Sequence, residues 1–107
     1  MHTLRRARGM MNPMDRGEAL QVAGEVLDRL RRRPYDRLVA ELLREPETEE
    51  ITGPSGATYY VEVEVIWDDR KKRHLRVMVA IDDGGWRAFA PLSTDFIVAP
   101  DGSFVGE

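Results

Sequence analysis

Residues 57–82 contain two stretches in which apolar and polar side chains alternate along the chain. Odd-numbered positions from Tyr59 to Trp67 are apolar, and Glu62 and Glu64 lie between them. Odd-numbered positions from Leu75 to Ile81 repeat the pattern. Alternation with a period of two indicates β-strands with one face in a core and one in solvent. A second layer must therefore cover the apolar face.

The two stretches predict a β-hairpin whose register is limited by parity. Both apolar sets are odd-numbered, so facing positions must add to an even number. We prefer the register that pairs Val63 with Val77, because it places Glu64 opposite Arg76 on the polar face. The alternative register places Glu64 opposite Met78.

Residues 12–45 predict two helices. Asn12-Pro13 is a favourable helix start, because Asn accepts a hydrogen bond from a free backbone N–H and Pro suits the first turn. Apolar residues then recur at steps of three and four between Leu20 and Leu30, which places them on one helical face. Pro34 ends this helix and begins a second one, whose apolar stripe lies within residues 38–43.

Residues 46–107 predict a β-meander. Residues 47–50 are predicted to be an acidic connector, and residues 51–52 a short strand. Gly, Pro and Ser at 53–56 predict a hairpin turn, and Asp and Gly at 82–85 predict the next reversal, with the register of 82–87 left open. Residues 99–102 predict the turn of a final small hairpin.

The order of these elements predicts an α+β fold, with two N-terminal helices packed on one face of a four- to five-stranded antiparallel β-meander. The length of 107 residues fits a single domain. We expect that domain to span residues 12–107, with helices in 12–45 and the meander in 46–107. We expect residues 1–11 to form a disordered leader.

Composition argues against several kinds of chemistry. Cysteine is absent, which removes disulfides, thiolate metal sites and cysteine nucleophiles and fits a reducing, bacterial cytoplasm. His2 and His74 are too few for a zinc site, and no serine lies in a nucleophile-elbow sequence. No apolar run approaches the ~20 residues needed to span a bilayer. We therefore predict a cytoplasmic protein that is not an enzyme, with no catalytic, cofactor-binding or metal-binding residues.

A weak divalent-cation site is an alternative. Asp82, Asp83 and Asp95 would gather if the last segment folds back onto the preceding strands.

The two halves of the chain carry opposite charge. Residues 1–45 hold ten arginines and seven acidic residues, whereas residues 46–107 hold six basic and twelve acidic residues. The net charge of −3 disfavours general nucleic-acid binding, because phosphate contacts need a positive surface. Nucleic-acid binding stays an alternative through two basic clusters, Arg31, Arg32, Arg33 and Arg70, Lys71, Lys72, Arg73.

Aromatic residues give the leading functional hypothesis. Tyr59, Trp67 and Trp86 would ring a groove if the helices leave part of the sheet uncovered, and Tyr60 and Phe89 would form a second patch on the opposite face. We predict a small non-catalytic protein–protein interaction or regulatory module, which binds a protein partner or forms a homodimer. The predicted partner-binding residues are Tyr59, Tyr60, Trp67, Trp86, Arg87 and Phe89. A small-molecule-binding domain on the concave sheet face is a further alternative.

Overall fold

A computed structural model of the chain describes residues 15–84 and 92–107. Within these ranges the chain forms helices α1 (Arg16–Arg31) and α2 (Tyr35–Leu42), followed by strands β1 (Glu47–Thr52), β2 (Thr58–Trp67), β3 (Leu75–Asp82) and β4 (Leu92–Val98). The strands form one antiparallel sheet in the order β1-β2-β3-β4. The predicted α+β class is confirmed, and the predicted leader lies outside the described residues. Neither described helix is long and apolar enough to cross a membrane.

Both helices pack on the same face of the sheet and bury its odd-numbered side chains from β2 and β3. Val63 and Val79, at the centre of these strands, are 2% and 0% exposed. The alternation of side chains along a strand makes this burial one-sided, because neighbouring residues point to opposite faces. The core cluster includes Ala19, Val22, Ala23, Val26 and Leu30 of α1, Leu38 and Leu42 of α2, and Phe96 and Val98 of β4.

Helix α1 begins later than predicted. Its N-cap is Asp15, whose carboxylate accepts a hydrogen bond from the backbone N–H of Glu18 at 3.0 Å, so the start predicted at Asn12-Pro13 is wrong. The predicted buried stripe is confirmed at Ala23, Val26 and Leu30 but is wrong at its first residue. Leu20 is 55% exposed, whereas its neighbour Ala19 is fully buried.

The preferred register of the β2–β3 hairpin is wrong. Val63 pairs with Val79, and Glu64 lies opposite Met78. This is the alternative register, displaced by two residues from the one in which Val63 pairs with Val77. Both registers keep the valines on one face, so side-chain parity could not choose between them.

The β2–β3 loop explains the observed register. The backbone N–H of Asp68 donates to the carbonyl of His74 at 2.7 Å, which closes the loop at these two residues. The Asp69 carboxylate accepts from the backbone N–H groups of Arg73 and His74 at 2.8 and 2.9 Å. Loop length and turn type fix a hairpin register, and they outweigh one cross-strand ion pair.

The acidic connector predicted at 47–50 is wrong, because these residues belong to β1. Glu47 and Glu49 point to the helix side of the sheet, where each forms an ion pair with an arginine. Arg33 lies 3.3 Å from the Glu47 carboxylate, and Arg29 forms an ion pair with Glu49. The charges therefore let an acidic segment pair as an edge strand, and charged edges also oppose aggregation.

The turn at 53–56 is confirmed as a hairpin turn between β1 and β2, where the backbone N–H of Gly53 donates to the carbonyl of Ala57 at 2.8 Å. The final small hairpin is confirmed by a β-bridge between Val98 and Phe104. Gly102 has a φ of 87°, as the predicted role of glycine in this turn requires. The alternatives for the register of 82–87 involve residues outside the described ranges.

The core predicts a sharp contrast between two leucines of α1. Leu30→Ala should lower the free energy of unfolding by about 2–5 kcal/mol, because it removes a fully buried side chain and leaves a cavity. Leu20→Ala should change it by less than about 0.5 kcal/mol, because that side chain is in solvent. Urea unfolding followed by circular dichroism measures both, and equal losses would contradict this assignment of the buried face.

Candidate functional site

Neither of the two described helices covers one face of the sheet, and we call it the open face. Its side chains alternate with the buried ones, so each strand contributes to it. Tyr60 and Ile66 of β2 are 43% and 46% exposed, which makes them the largest apolar contributions to this surface among the residues described. The open face consists of Thr48, Glu50 and Thr52 of β1, Thr58, Tyr60, Glu62, Glu64 and Ile66 of β2, Arg76, Met78, Ala80 and Asp82 of β3, and Ser93, Asp95 and Ile97 of β4.

A shallow depression of about 650 Å³ lies at one end of the open face, and we call it the Tyr60 groove. It is lined by Thr48, Glu49, Glu50, Tyr60, Val61, Glu62, Ala80 and Asp82. Two rows of cross-strand neighbours build it, one with Tyr60 at its centre and one with Glu62 at its centre. The side chains that flank Glu62 are the small Thr48 and Ala80, which lowers the surface there.

Gly84 supports the ring of Tyr60 at the end of the groove. A Cβ atom at this position would lie 2.3 Å from Cε2 of Tyr60, and the residue has a φ of 77°. Both facts require glycine, because a side chain would clash and would disfavour the backbone conformation. The close approach of the backbone therefore holds one edge of an exposed aromatic ring.

The Tyr60 groove is acidic. The side chains of Glu50 and Glu62 make no hydrogen bond or ion pair with the residues described, and the Asp82 carboxylate accepts there from the backbone N–H of Gly84, at 2.6 Å. Glu49 turns to the helix side and pairs with Arg29. None of the lining residues is basic. Within the described part of the chain, the groove therefore presents an aromatic ring among carboxylates that lack a cation.

The other end of the open face contains an arginine that forms ion pairs with two carboxylates. Arg76 donates from Nε to Asp68 at 2.9 Å and from Nη1 to Asp95 at 2.6 Å. These hydrogen bonds, first the one to Asp95, raise the pKa of Arg76 above its ordinary value. Asp95, which lies opposite Met78 on β3, is therefore paired with Arg76.

The structure does not bring together the acidic residues of the alternative cation site. Asp82 pairs across the sheet with Tyr60, whereas Asp95 pairs with Met78, four residues earlier on β3. Within 15–84 and 92–107, no three His, Cys, Asp or Glu side chains are placed to hold a metal ion.

The predicted partner-binding residues fall in different places. Tyr59 is 1% exposed and lies in the core, so it presents no surface to a partner. Trp67 is half-buried and packs against the core. Tyr60 lies on the open face, as its parity predicts. Trp86, Arg87 and Phe89 lie outside the described residues.

The arginines of the first predicted nucleic-acid-binding cluster, residues 31–33, make contacts within the fold. The Arg31 guanidinium carbon lies over the Phe96 and Phe104 rings, 4.8 and 4.6 Å from their centroids, and the group donates to both carboxylate oxygens of Glu107. Arg33 contacts the Glu47 and Glu41 carboxylates. Arg32 is exposed and donates to a backbone carbonyl of its own helix. The triplet therefore does not present three free cations.

The second predicted cluster, Arg70, Lys71, Lys72 and Arg73, forms the exposed β2–β3 loop. Lys72 has a φ of 57°, and the Asp69 carboxylate lies 3.8 Å from Arg73. Arg70 and Lys71 project into solvent with no hydrogen bond or ion pair to the described part of the chain.

A carboxylate cluster that sequence reasoning missed joins α1 to the β1–β2 turn. Glu18 Oε1 accepts from the Tyr59 hydroxyl at 2.6 Å and from the Ser55 hydroxyl at 2.7 Å, and Oε2 accepts from the Ser55 backbone N–H at 2.7 Å. Gly53 makes room for it, because a Cβ there would lie 2.8 Å from Cδ of Glu18. We call these residues the Glu18 clamp.

The electrostatics of the Glu18 clamp indicate a structural role. The hydrogen bond from Tyr59, followed by those from Ser55, lowers the pKa of Glu18 below its ordinary value. Burial, followed by the bond to Glu18, raises the pKa of Tyr59. An ionised carboxylate with three donors and a tyrosine that keeps its proton are poorly suited to proton transfer near neutral pH.

The Glu18 clamp predicts a specific loss of stability in acid. The pKa of Glu18 is lowered in the folded state, so its ionised carboxylate stabilises the fold above the unfolded-state pKa. This stabilisation is lost as the pH falls through the folded-state pKa. Between about pH 6 and 3, wild-type protein should therefore lose more stability than Glu18→Gln does. Urea midpoints across this range measure the difference. The exposed Glu25→Gln of the same helix is the control, and parallel curves for wild type and Glu18→Gln would contradict the clamp.

No protein-family model, curated protein or solved structure matches this chain. Any functional assignment therefore depends on the contacts, charges and surface shape of the described residues.

Proposed function

We propose that this protein is a non-catalytic interaction module, a regulatory or adaptor subunit that binds another protein through the open face of its sheet. The observation that carries the proposal is the one-sided cover of the sheet by α1 and α2. The opposite face keeps Tyr60 and Ile66 in solvent on one strand, 43% and 46% exposed.

The composition of the open face supports a protein partner. Partner surfaces favour aromatic and other large apolar anchors surrounded by polar groups. Tyr60 lies in a groove with a carboxylate on each neighbouring strand, and Ile66 lies near the other end of β2. A sheet of four strands also gives these side chains a rigid base, which lowers the entropy lost on binding.

A different protein is favoured over a second copy of the chain as the partner at this face. The described open face holds five carboxylates, on Glu50, Glu62, Glu64, Asp82 and Asp95, against the single cation of Arg76. Two copies that met through this face would juxtapose like charges, which opposes association.

The two alternatives from sequence have less support. Arg31 and Arg33 are engaged within the fold, which weakens the nucleic-acid hypothesis. The Tyr60 groove is open and shallow, whereas small-molecule sites enclose most of their ligand.

Photo-crosslinking tests the proposal. A benzophenone amino acid in place of Tyr60 or Ile66 should give one discrete crosslinked product in cells of the source organism, because both side chains lie on the proposed interface. The control is the same amino acid in place of Leu20, which is 55% exposed on α1 and should give none. A product of the same size from all three positions, or from none, would contradict the proposal.

A further inference from the structure

We infer that the Tyr60 groove binds an arginine side chain from the partner protein, with the guanidinium over the Tyr60 ring and paired with the Glu62 carboxylate. The inference rests on the proposed function and adds the chemistry of the partner. It identifies the partner segment as a cationic peptide.

Ion pairs are distributed unevenly over the sheet. On the helix side, Glu47 and Glu49 of β1 each meet an arginine. On the open face, Arg76 forms ion pairs with Asp68 and Asp95. Among the described residues of the open face, the carboxylates of Glu50, Glu62 and Glu64 have no cation or hydrogen bond, and the first two of them line the Tyr60 groove. A ligand that complements this surface must be positively charged.

The aromatic ring of Tyr60 lies in a row of three cross-strand neighbours. Tyr60 pairs with Glu50 on β1 and with Asp82 on β3, so carboxylates flank it on both sides. Directly opposed residues on neighbouring strands have Cβ atoms about 4.5–5.5 Å apart. A guanidinium that stacks on the ring therefore lies within reach of carboxylates as well, and a cation over an aromatic face is attracted by the ring quadrupole.

The fold already contains an arginine held by aromatic rings and a carboxylate. The guanidinium of Arg31 lies over two phenylalanine rings and donates two hydrogen bonds to Glu107, at 2.8 and 2.7 Å. The Tyr60 groove offers the same two features, a ring and a carboxylate, without the arginine. A planar guanidinium suits both contacts better than an ammonium group or a metal ion does, because it stacks and also forms paired hydrogen bonds.

Titration with a capped tri-arginine peptide tests the inference, observed in ¹H–¹⁵N spectra of the full chain. We expect chemical-shift changes at Tyr60, Glu62 and Ala80, which weaken as salt rises from about 0.02 to 0.3 M because screening increases. A capped tri-glutamine peptide should give none of these changes. Equal changes with tri-glutamine, or changes that lie outside the groove, would overturn the inference.

Two matched variants locate the binding site. Glu62→Gln should weaken tri-arginine binding by about threefold, the range of one exposed ion pair. Glu64→Gln removes the same charge from the same strand and face but outside the groove. It should change the binding free energy by less than half as much as Glu62→Gln does. Equal effects would mean diffuse attraction to an acidic surface and would overturn the inference. Urea unfolding of both variants checks that the fold is kept.

The outcomes separate this inference from the proposed function. Crosslinks from positions 60 and 66 without tri-arginine binding in the groove would keep the interaction module and overturn the arginine assignment. Sedimentation that shows self-association, weakened by Glu62→Gln, would assign the groove to a second copy and overturn it as well. Groove-specific tri-arginine binding that Glu62→Gln weakens by about threefold and Glu64→Gln changes much less would support arginine recognition by the groove. Failed crosslinks beside that result would overturn the proposed function alone.

Discussion

The alternation of side chains along β2 and β3 is the constraint on which the rest of the structure depends. It places Val63 and Val79 together beneath the helices, at 2% and 0% exposure, and sends the residues between them to the opposite face. A slip of one residue would exchange the two faces, so the burial of the valines also fixes which polar groups reach solvent. The helices cover the apolar face, and the open face follows from that cover.

The distribution of charge follows from the same sidedness. Glu49 and Glu50 are neighbours on β1, yet Glu49 points toward the helices and pairs with Arg29, whereas Glu50 points away and has no cation among the described residues. The C-terminal end of α1 thus supplies arginines to one face only. The face that the helices leave open keeps its carboxylates, and a cationic partner would complement them.

The sequence predicted the elements that depend on local pattern and missed those that depend on distant contacts. Period-two alternation predicted β2, β3 and the buried face, and turn residues predicted the hairpins at 53–56 and 99–102. The predicted register of the β2–β3 hairpin was wrong because the Asp69 carboxylate organises the loop between these strands. The alternation of apolar and polar residues gives no information about that contact. The Glu18 clamp joins residues 37 and 41 positions apart, and only the folded chain brings them together. The sequence predicted Arg31 as part of a basic surface, but its guanidinium lies over two phenylalanine rings that are 65 and 73 positions away along the chain.

The most direct test of the central claim is the exposure of individual methyl groups to a soluble gadolinium chelate, measured by NMR on the full chain. The methyl signal of Ile66 should broaden strongly, because its side chain is 46% exposed on the open face. The methyl signals of Val63 and Val79 should broaden little, because both lie beneath the helices. Similar broadening of Ile66 and Val79 would contradict a sheet with one covered face and one open face.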